Sequence, residues 1–552
     1  MKTKFLLRAS LFLLLLGSSA AAQQATDTVA PEAATPGVTT APAQLVEAKD
    51  WMVASANPLA SRAGADVLAA GGSAVDAAVA IQLVLGLVEP QSSGLGGGAF
   101  LLHWDAATGT LTTLDGRETA PSAARPQLFQ TDAGEPMDFF DAVIGGRSVG
   151  VPGTPLLLET AHRRWGAKSW SSLFEPAISL AEGGFEVSPR LAGLVAEDRK
   201  QLAASPSASA YFLPQGAPIA AGARLRNTAY AQTLRTLAEG GANAFYHGAI
   251  AEAIVAAVRG AANPGVIQTS DLAAYRIAER PPICVAYRQR QVCGMGPPSS
   301  GGVAVGQILK MLEPFDITAL GPDDPQAWRL IGDASRLAFA DRERYLADED
   351  FMPVPVKGLL DDAYLSARSA LLRTDRALAT VEPGEPEWEH ARLRADDESL
   401  ELPSTSHIVV IDGQGNAVSM TTTIESGFGS RLMVGGFLLN NELTDFSFRT
   451  HVDGVPIANR VEPGKRPRSS MAPTIVLENG RPRLLVGSPG GSQIIGYVVK
   501  ALVAHLDWGM DVDAAVALPN ALNRFGSFEL EEGTAAADLA DDLKALGFDT
   551  EI

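Results

Sequence analysis

The chain has 552 residues, 46% hydrophobic and 19% charged, with 54 glycines and 35 prolines. That is a globular composition, at a length that ordinarily fills about three or four domains, although large single folds break the rule. Forty-four Lys and Arg stand against 63 Asp and Glu, a formal charge of -19, and so acidic a surface argues against nucleic acid and anionic lipid as partners.

Lys2, Lys4 and Arg8 precede an apolar run from Leu11 to Leu16 and the small residues Ala20, Ala21 and Ala22. This pattern predicts a signal peptide over 1–22, removed after Ala22. The apolar run is too short to span a bilayer, and no cysteine lies beside the cleavage site to carry a lipid. The expectation is an exported protein, periplasmic or secreted, with no stable membrane insertion. Residues 23–46, rich in Ala, Thr, Pro and Gln, read as a disordered linker.

Pro58 to Ala69 reads as a helix stopped by Gly71-Gly72. Ser73, with Asp76 at the capping-box position, opens a second helix to Val88, so uniformly small and apolar that it belongs inside the protein. Ala99–Trp104 and Leu111–Asp115 read as a strand pair, and 170–260 is helix-rich. Ile283–Val292 reads as a hairpin around Arg288-Gln289, which sets Cys284 directly opposite Cys293. On a non-hydrogen-bonded pair the Cα atoms approach to about 4.5 Å, within disulfide range. The alternative is two buried thiols.

Two motif matches fail on context. Gly146-Arg147-Ser148-Val149-Gly150 has the spacing of a nucleophile elbow, but Pro152, Gly153 and Pro155 follow where a helix is needed. Gly94–Ala99 has dinucleotide-loop spacing but comes after a helix and before a strand, the reverse of the required order. Its glycines instead suit a close approach of backbones. The seven histidines show no metal-ligand spacing.

From Glu382 to Glu401 the chain is acidic, with prolines at 383 and 386, and reads as a solvated loop. A strand from Ser404 to Ile411 follows, then a turn at Asp412–Asn416 and a returning strand through Thr421-Thr422-Thr423. Thr474–Leu477 and Leu484–Val486 read as strands. Gly490-Gly491 then leads into a helix with the apolar face Ile494, Ile495, Val498 and Leu502. A glycine turn at a helix start presents backbone N–H groups to an anion or oxyanion.

The ordered motifs, from about Asn57 to Leu546, resemble the γ-glutamyltransferase family (γ-glutamyl transpeptidase, glutathione hydrolase) of N-terminal-nucleophile hydrolases. They include Asn57-Pro58-Leu59-Ala60, Gly72–Ala78, Gly96–Gly98, Arg117-Glu118-Thr119-Ala120-Pro121 and Val151–Thr154. Pro297–Gly302, Thr405-Ser406-His407, Leu439–Glu442, Asp445-Phe446, Ser469-Ser470-Met471 and Gly490-Gly491 complete the set. The resemblance implies an α+β fold, an αββα four-layer sandwich, and self-cleavage between Ser404 and Thr405. One fold would then be shared by a large chain 47–404 and a small chain 405–552, associated as a heterodimer. Thr405 would be the nucleophile, with its freed α-amino group, of pKa about 7.7–8.0, as general base. By the same resemblance Thr423 bonds the nucleophile and Gly490 and Gly491 form the oxyanion hole. Arg117, Ser469 and Ser470 grip the glutamyl α-carboxylate, and Glu425, Glu442 and Asp445 hold its α-ammonium.

The implied substrate is glutathione or another γ-glutamyl amide, the acceptor water, an amino acid or a dipeptide, and the chemistry uses no cofactor or metal. Three departures stand out. Position 425 is Glu where many members have Asn, the segment Phe448–Arg468 is shorter than in members with a lid, and the family continues past the position of Ile552. Two alternatives remain: a glutaryl-cephalosporin acylase of the same fold, and an uncleaved, inactive binding homologue.

Overall fold

Capping residues set the first helices. Asn57 accepts from Leu59 N at the start of Pro58–Ala69, and Ser73 and Asp76 satisfy each other's backbone N–H groups at the start of Ala74–Val88. Every residue of the second helix is buried. The computed structural model describes residues 45–389 and 393–552. The leader expected at 1–22 and nearly all of the linker expected at 23–46 lie outside them.

Six strands form an antiparallel sheet in the order Met52–Ser55, Ser406–Ile411, Ala417–Thr423, Gly98–Asp105, Thr110–Gly116, Ala278–Arg280. Its alternation feeds two cores. In Gly98–Asp105, Ala99 and Leu101 pack on the layer that contains Ala74–Val88, while Phe100, Leu102 and Trp104 face the other way. There they meet Val285, Val292, Ile475 and Val476 of a four-stranded sheet, ordered Arg481–Val486, Thr474–Glu478, Arg290–Gly294, Ile283–Tyr287. Gly301–Leu312, Pro325–Tyr345 and Ile494–Leu506 cover its far side. Two sheets buried between two helical layers make the αββα sandwich. A strand buried on both faces cannot slip register without exposing one core, so the ends of these strands are fixed points.

Arg288 and Gln289 both have positive φ (46° and 66°), as a two-residue type I′ hairpin turn requires. This register places Cys284 opposite Cys293, joined as a disulfide with Cα atoms 4.1 Å apart. Ser148 is buried and its hydroxyl donates to the Val143 carbonyl at 2.6 Å, a structural contact. The glycine run makes a close backbone approach: a Cβ on Gly97 would collide with the Thr423 carbonyl, and one on Gly96 with that of Leu438.

One expectation is corrected. Glu382–Glu401 forms no helix or strand in its described part, but its end is not solvated. Asp397 and Glu401 are buried, because Arg468 and Arg342 supply the opposite charges that offset their desolvation. The following strand also begins at Ser406 rather than Ser404, since the polar groups of Ser404 bond outside the sheet ladder.

Candidate active site

The site gathers at the end of the six-stranded sheet where Thr423 pairs with Gly98 and Ser406 with Thr422. Thr405 stands one residue before its strand, 6% exposed. Its hydroxyl donates to Thr423 Oγ1 at 3.3 Å, and that hydroxyl donates in turn to the Ser404 carbonyl at 2.8 Å. The Glu425 N–H donates to Thr423 Oγ1 as well, and Ser404 Oγ donates to the Gln91 carbonyl at 2.8 Å. One hydroxyl, that of Thr423, thus bridges the Thr405 side chain and the carbonyl of the Ser404–Thr405 peptide.

Gly490 and Gly491 lie at the start of a short 3₁₀ turn leading into Ile494–Leu506, with φ of 134° and 55°. Both values favour glycine. At Gly491 a Cβ would also meet the carbonyls of Glu401 and Leu402, so the glycine turn sits directly against the segment that ends at Ser404.

A charged cluster occupies the neighbouring floor. Arg117, 1% exposed, pairs with Asp445 and Glu442, donates from Nε to the Pro467 carbonyl at 3.2 Å and from Nη2 to the Arg468 carbonyl at 2.8 Å. Carboxylate oxygens of Glu425, Glu442 and Asp445 lie within 4.8 Å of one another. Burial, opposed by Arg117, pushes the Asp445 carboxyl up to about 7. Burial and the nearby Asp445 raise Glu425 well above the usual carboxylate range. Glu425 also holds a left-handed backbone (φ 80°), a strain of order 1–3 kcal/mol in a non-glycine residue. Glu118 is fully buried, neither carboxyl oxygen has a hydrogen-bond partner, and burial pushes it up to about 8.

The structure therefore brings Thr405 and Thr423 together at the Ser404–Thr405 bond and sets Gly491 against residues 401 and 402 of the segment leading to it, while Arg117, Glu425, Glu442 and Asp445 cluster beside Thr423. Ser469 and Ser470 follow Arg468, whose carbonyl Arg117 holds; Ser470 Oγ accepts from Arg342 at 2.7 Å. Cys284 and Cys293 lie in the other sheet. Sequence reasoning missed Arg342, Glu343 and Glu401, and gave Arg468 no role. Arg342 lies in the charged run Asp341-Arg342-Glu343-Arg344, which reads locally as a solvated helix face, so the sequence carried no local signal for its burial.

Two sheets between two helical layers, with Thr405 one residue before an inner strand, have the architecture of the N-terminal-nucleophile hydrolases. The sequence profile described as Gamma-glutamyltranspeptidase matches residues 60–551, and the chain belongs to that family. It is 39% identical over 509 residues to the glutathione hydrolase proenzyme of Bacillus subtilis (strain 168), covering 90% of this chain and 85% of the relative. It is 38% identical over 484 residues to the glutathione hydrolase proenzyme of Escherichia coli (strain K12), covering 86% and 81%. A cephalosporin acylase from Bacillus halodurans superposes with a TM-score of 0.82 at 28% identity, covering 94% of this chain and 92% of that one.

Proposed function

We propose that this protein is a self-cleaving γ-glutamyltransferase and hydrolase that acts on glutathione or related γ-glutamyl amides. The carrying observation is the chain of hydroxyls from Thr405 through Thr423 to the Ser404 carbonyl. In the uncut chain Thr405 Oγ1 attacks that carbonyl, the acyl group moves from nitrogen to oxygen, and water hydrolyses the ester. The products are a large chain ending at Ser404 and a small chain beginning at Thr405, held together by the two shared cores.

The freed α-amino group then serves as base for the same hydroxyl, which an amide nitrogen cannot do. Thr405 takes the γ-glutamyl group from its amide, the amine leaves with the proton, and water or an amino acceptor such as a dipeptide releases the ester. Gly490 and Gly491 receive the developing oxyanion. Arg117, Ser469 and Ser470 meet the α-carboxylate, and Glu425, Glu442 and Asp445 meet the α-ammonium. No step calls for a cofactor. Export to the periplasm or beyond belongs to the same reading, supported by the leader pattern; no helix among the described residues is long and apolar enough to cross a membrane.

The acylase reading has a specific observation in its favour, the overlap with the cephalosporin acylase. Against it stand three buried carboxylates within one small space. Arg117 already pairs with two of them, and a glutaryl group, which carries no ammonium, would add no further positive charge to the cluster. Assays of γ-glutamyl and glutaryl p-nitroanilides, with and without glycylglycine, separate the two: γ-glutamyl turnover well above glutaryl turnover supports the transferase, and the reverse order supports the acylase.

A further inference from the structure

Gly490 and Gly491 adopt their positive φ readily because they carry no side chain, and for the same reason their turn has no anchor of its own. The next two residues supply one. The Gln493 N–H donates to the Gly490 carbonyl at 3.0 Å and closes the turn. Ser492 Oγ accepts from Arg524 Nη1, and Gln493 Nε2 donates to one oxygen of the Glu529 carboxylate. The other oxygen of Glu529 takes Arg524 Nη2. Tyr497 donates from its hydroxyl to Gln493 Oε1 at 3.2 Å, and its ring packs on Gly490, where a Cβ would lie 2.7 Å away. Ser492, Gln493 and Arg524 are all buried.

Arg524 and Glu529 come from one hairpin. Its strand Ala521–Leu522 pairs antiparallel with Phe528–Leu530, Leu522 opposite Glu529, and the connection between them carries Arg524. The hairpin is seated on the helix Ile494–Leu506, where Leu522 approaches Gly496 so closely that a Cβ there would come within 2.8 Å of it. One carboxylate therefore ties both polar side chains of the turn to this hairpin, Gln493 directly and Ser492 through Arg524. Backbone donors stabilise an oxyanion only when they are in place before the charge develops, and a misplacement of about 1 Å can cost about 100-fold in rate. The Ser404 carbonyl of the uncut chain takes its hydrogen bond from Thr423 Oγ1, so the cutting step draws on a different donor.

We propose that Glu529 is a positioning residue, acting through Gln493 and through Arg524 on Ser492, that holds the Gly490 and Gly491 N–H groups where the oxyanion of γ-glutamyl transfer forms. It governs turnover and leaves self-cleavage to Thr423. The inference rests on Gly490 and Gly491 forming the oxyanion hole of a γ-glutamyl enzyme.

The test compares the unmutated protein with Glu529→Ala and Glu529→Gln in three measurements: the rate of cutting, single-turnover acylation by γ-glutamyl p-nitroanilide, and inhibition by L-glutamate. For Glu529→Ala, acylation should fall by about 100-fold. Cutting and the Ki of L-glutamate should each stay within about threefold, because Thr423 serves the first and the substrate's own charges govern the second. Glu529→Gln keeps one accepting oxygen for two donors, so its acylation should fall between, by about 10-fold. Unchanged acylation in Glu529→Ala overturns the proposal, whatever happens to Tm. Equal losses in acylation and L-glutamate binding would make the hairpin a general scaffold and overturn it too. If Glu529→Ala is not cut, Glu529→Gln decides by the same measurements; loss of cutting in both variants would make the hairpin a folding element and overturn the proposal. An unmutated protein that is never cut, or ignores γ-glutamyl anilides, defeats the parent reading instead, whereas an active enzyme indifferent to Glu529 defeats this inference alone.

Discussion

The Thr423 hydroxyl donates to the Ser404 carbonyl at 2.8 Å. In the proposed cleavage that oxygen carries the negative charge as Thr405 attacks, which puts the donor where charge develops. Removing one such donor typically costs about 100- to 1,000-fold in rate. Thr423→Val should therefore slow maturation by about 100-fold, and Thr423→Ser should restore most of it, as followed by the appearance of two bands on a denaturing gel. Unchanged cutting in Thr423→Val would remove Thr423 from the cleavage step.

Recognition should divide along the substrate's charges. Asp445→Asn leaves an ammonium without its counter-charge in a partly dry pocket, a loss of about 2–5 kcal/mol when such a pair is buried. We expect kcat/KM on γ-glutamyl anilides to fall by about 30-fold or more, with a much smaller change on glutaryl anilides. Equal losses on both would mean that Asp445 serves only to hold Arg117.

Glu118 should impose a pH dependence on stability. Burial holds its carboxyl up to about 8, whereas an unfolded Glu titrates near about pH 4.3. The folded chain then binds a proton that the unfolded chain has released, so this group's contribution falls as pH rises from about 4 to about 8. In an uncut Thr405→Ala background, adding Glu118→Gln should shrink the drop in Tm between pH 5 and pH 8 by about 2 °C or more. An identical drop in both proteins would place Glu118 outside the titrating set.

Much of this architecture is legible in the sequence because local chemistry and tertiary packing agree. The Ser73–Asp76 capping box, the two-residue turn at Arg288-Gln289 and the β-branched run at Thr421–Thr423 each specify one conformation. The Gly96–Gly97 approach is legible for the same reason, since only glycine tolerates the facing carbonyls. What escaped is the polar network behind the bond. Glu401 and Asp397 sit in a proline-punctuated acidic stretch whose composition matches a solvated loop. Their burial depends on Arg342 and Arg468, which lie 59 residues from Glu401 and a similar distance beyond Asp397 in the chain. No local pattern records so distant a pairing.

The disulfide should make a modest contribution. Cys284 and Cys293 close a short loop with a sequence separation of 9, for which lost chain entropy amounts to about 2–3 kcal/mol. The double variant Cys284→Ser/Cys293→Ser should lose up to that amount in denaturant unfolding and still be cut. Failure to mature would give the hairpin a role in positioning the site.

The central claim is that Thr405 cuts the chain at its own N-terminal side and then acts as the nucleophile. Intact mass and N-terminal sequencing of the purified protein, beside Thr405→Ala, test this most directly. We predict two chains from the unmutated protein, the smaller beginning at Thr405, and one uncut, inactive chain from Thr405→Ala. A single full-length chain that still hydrolyses γ-glutamyl anilides would contradict the account.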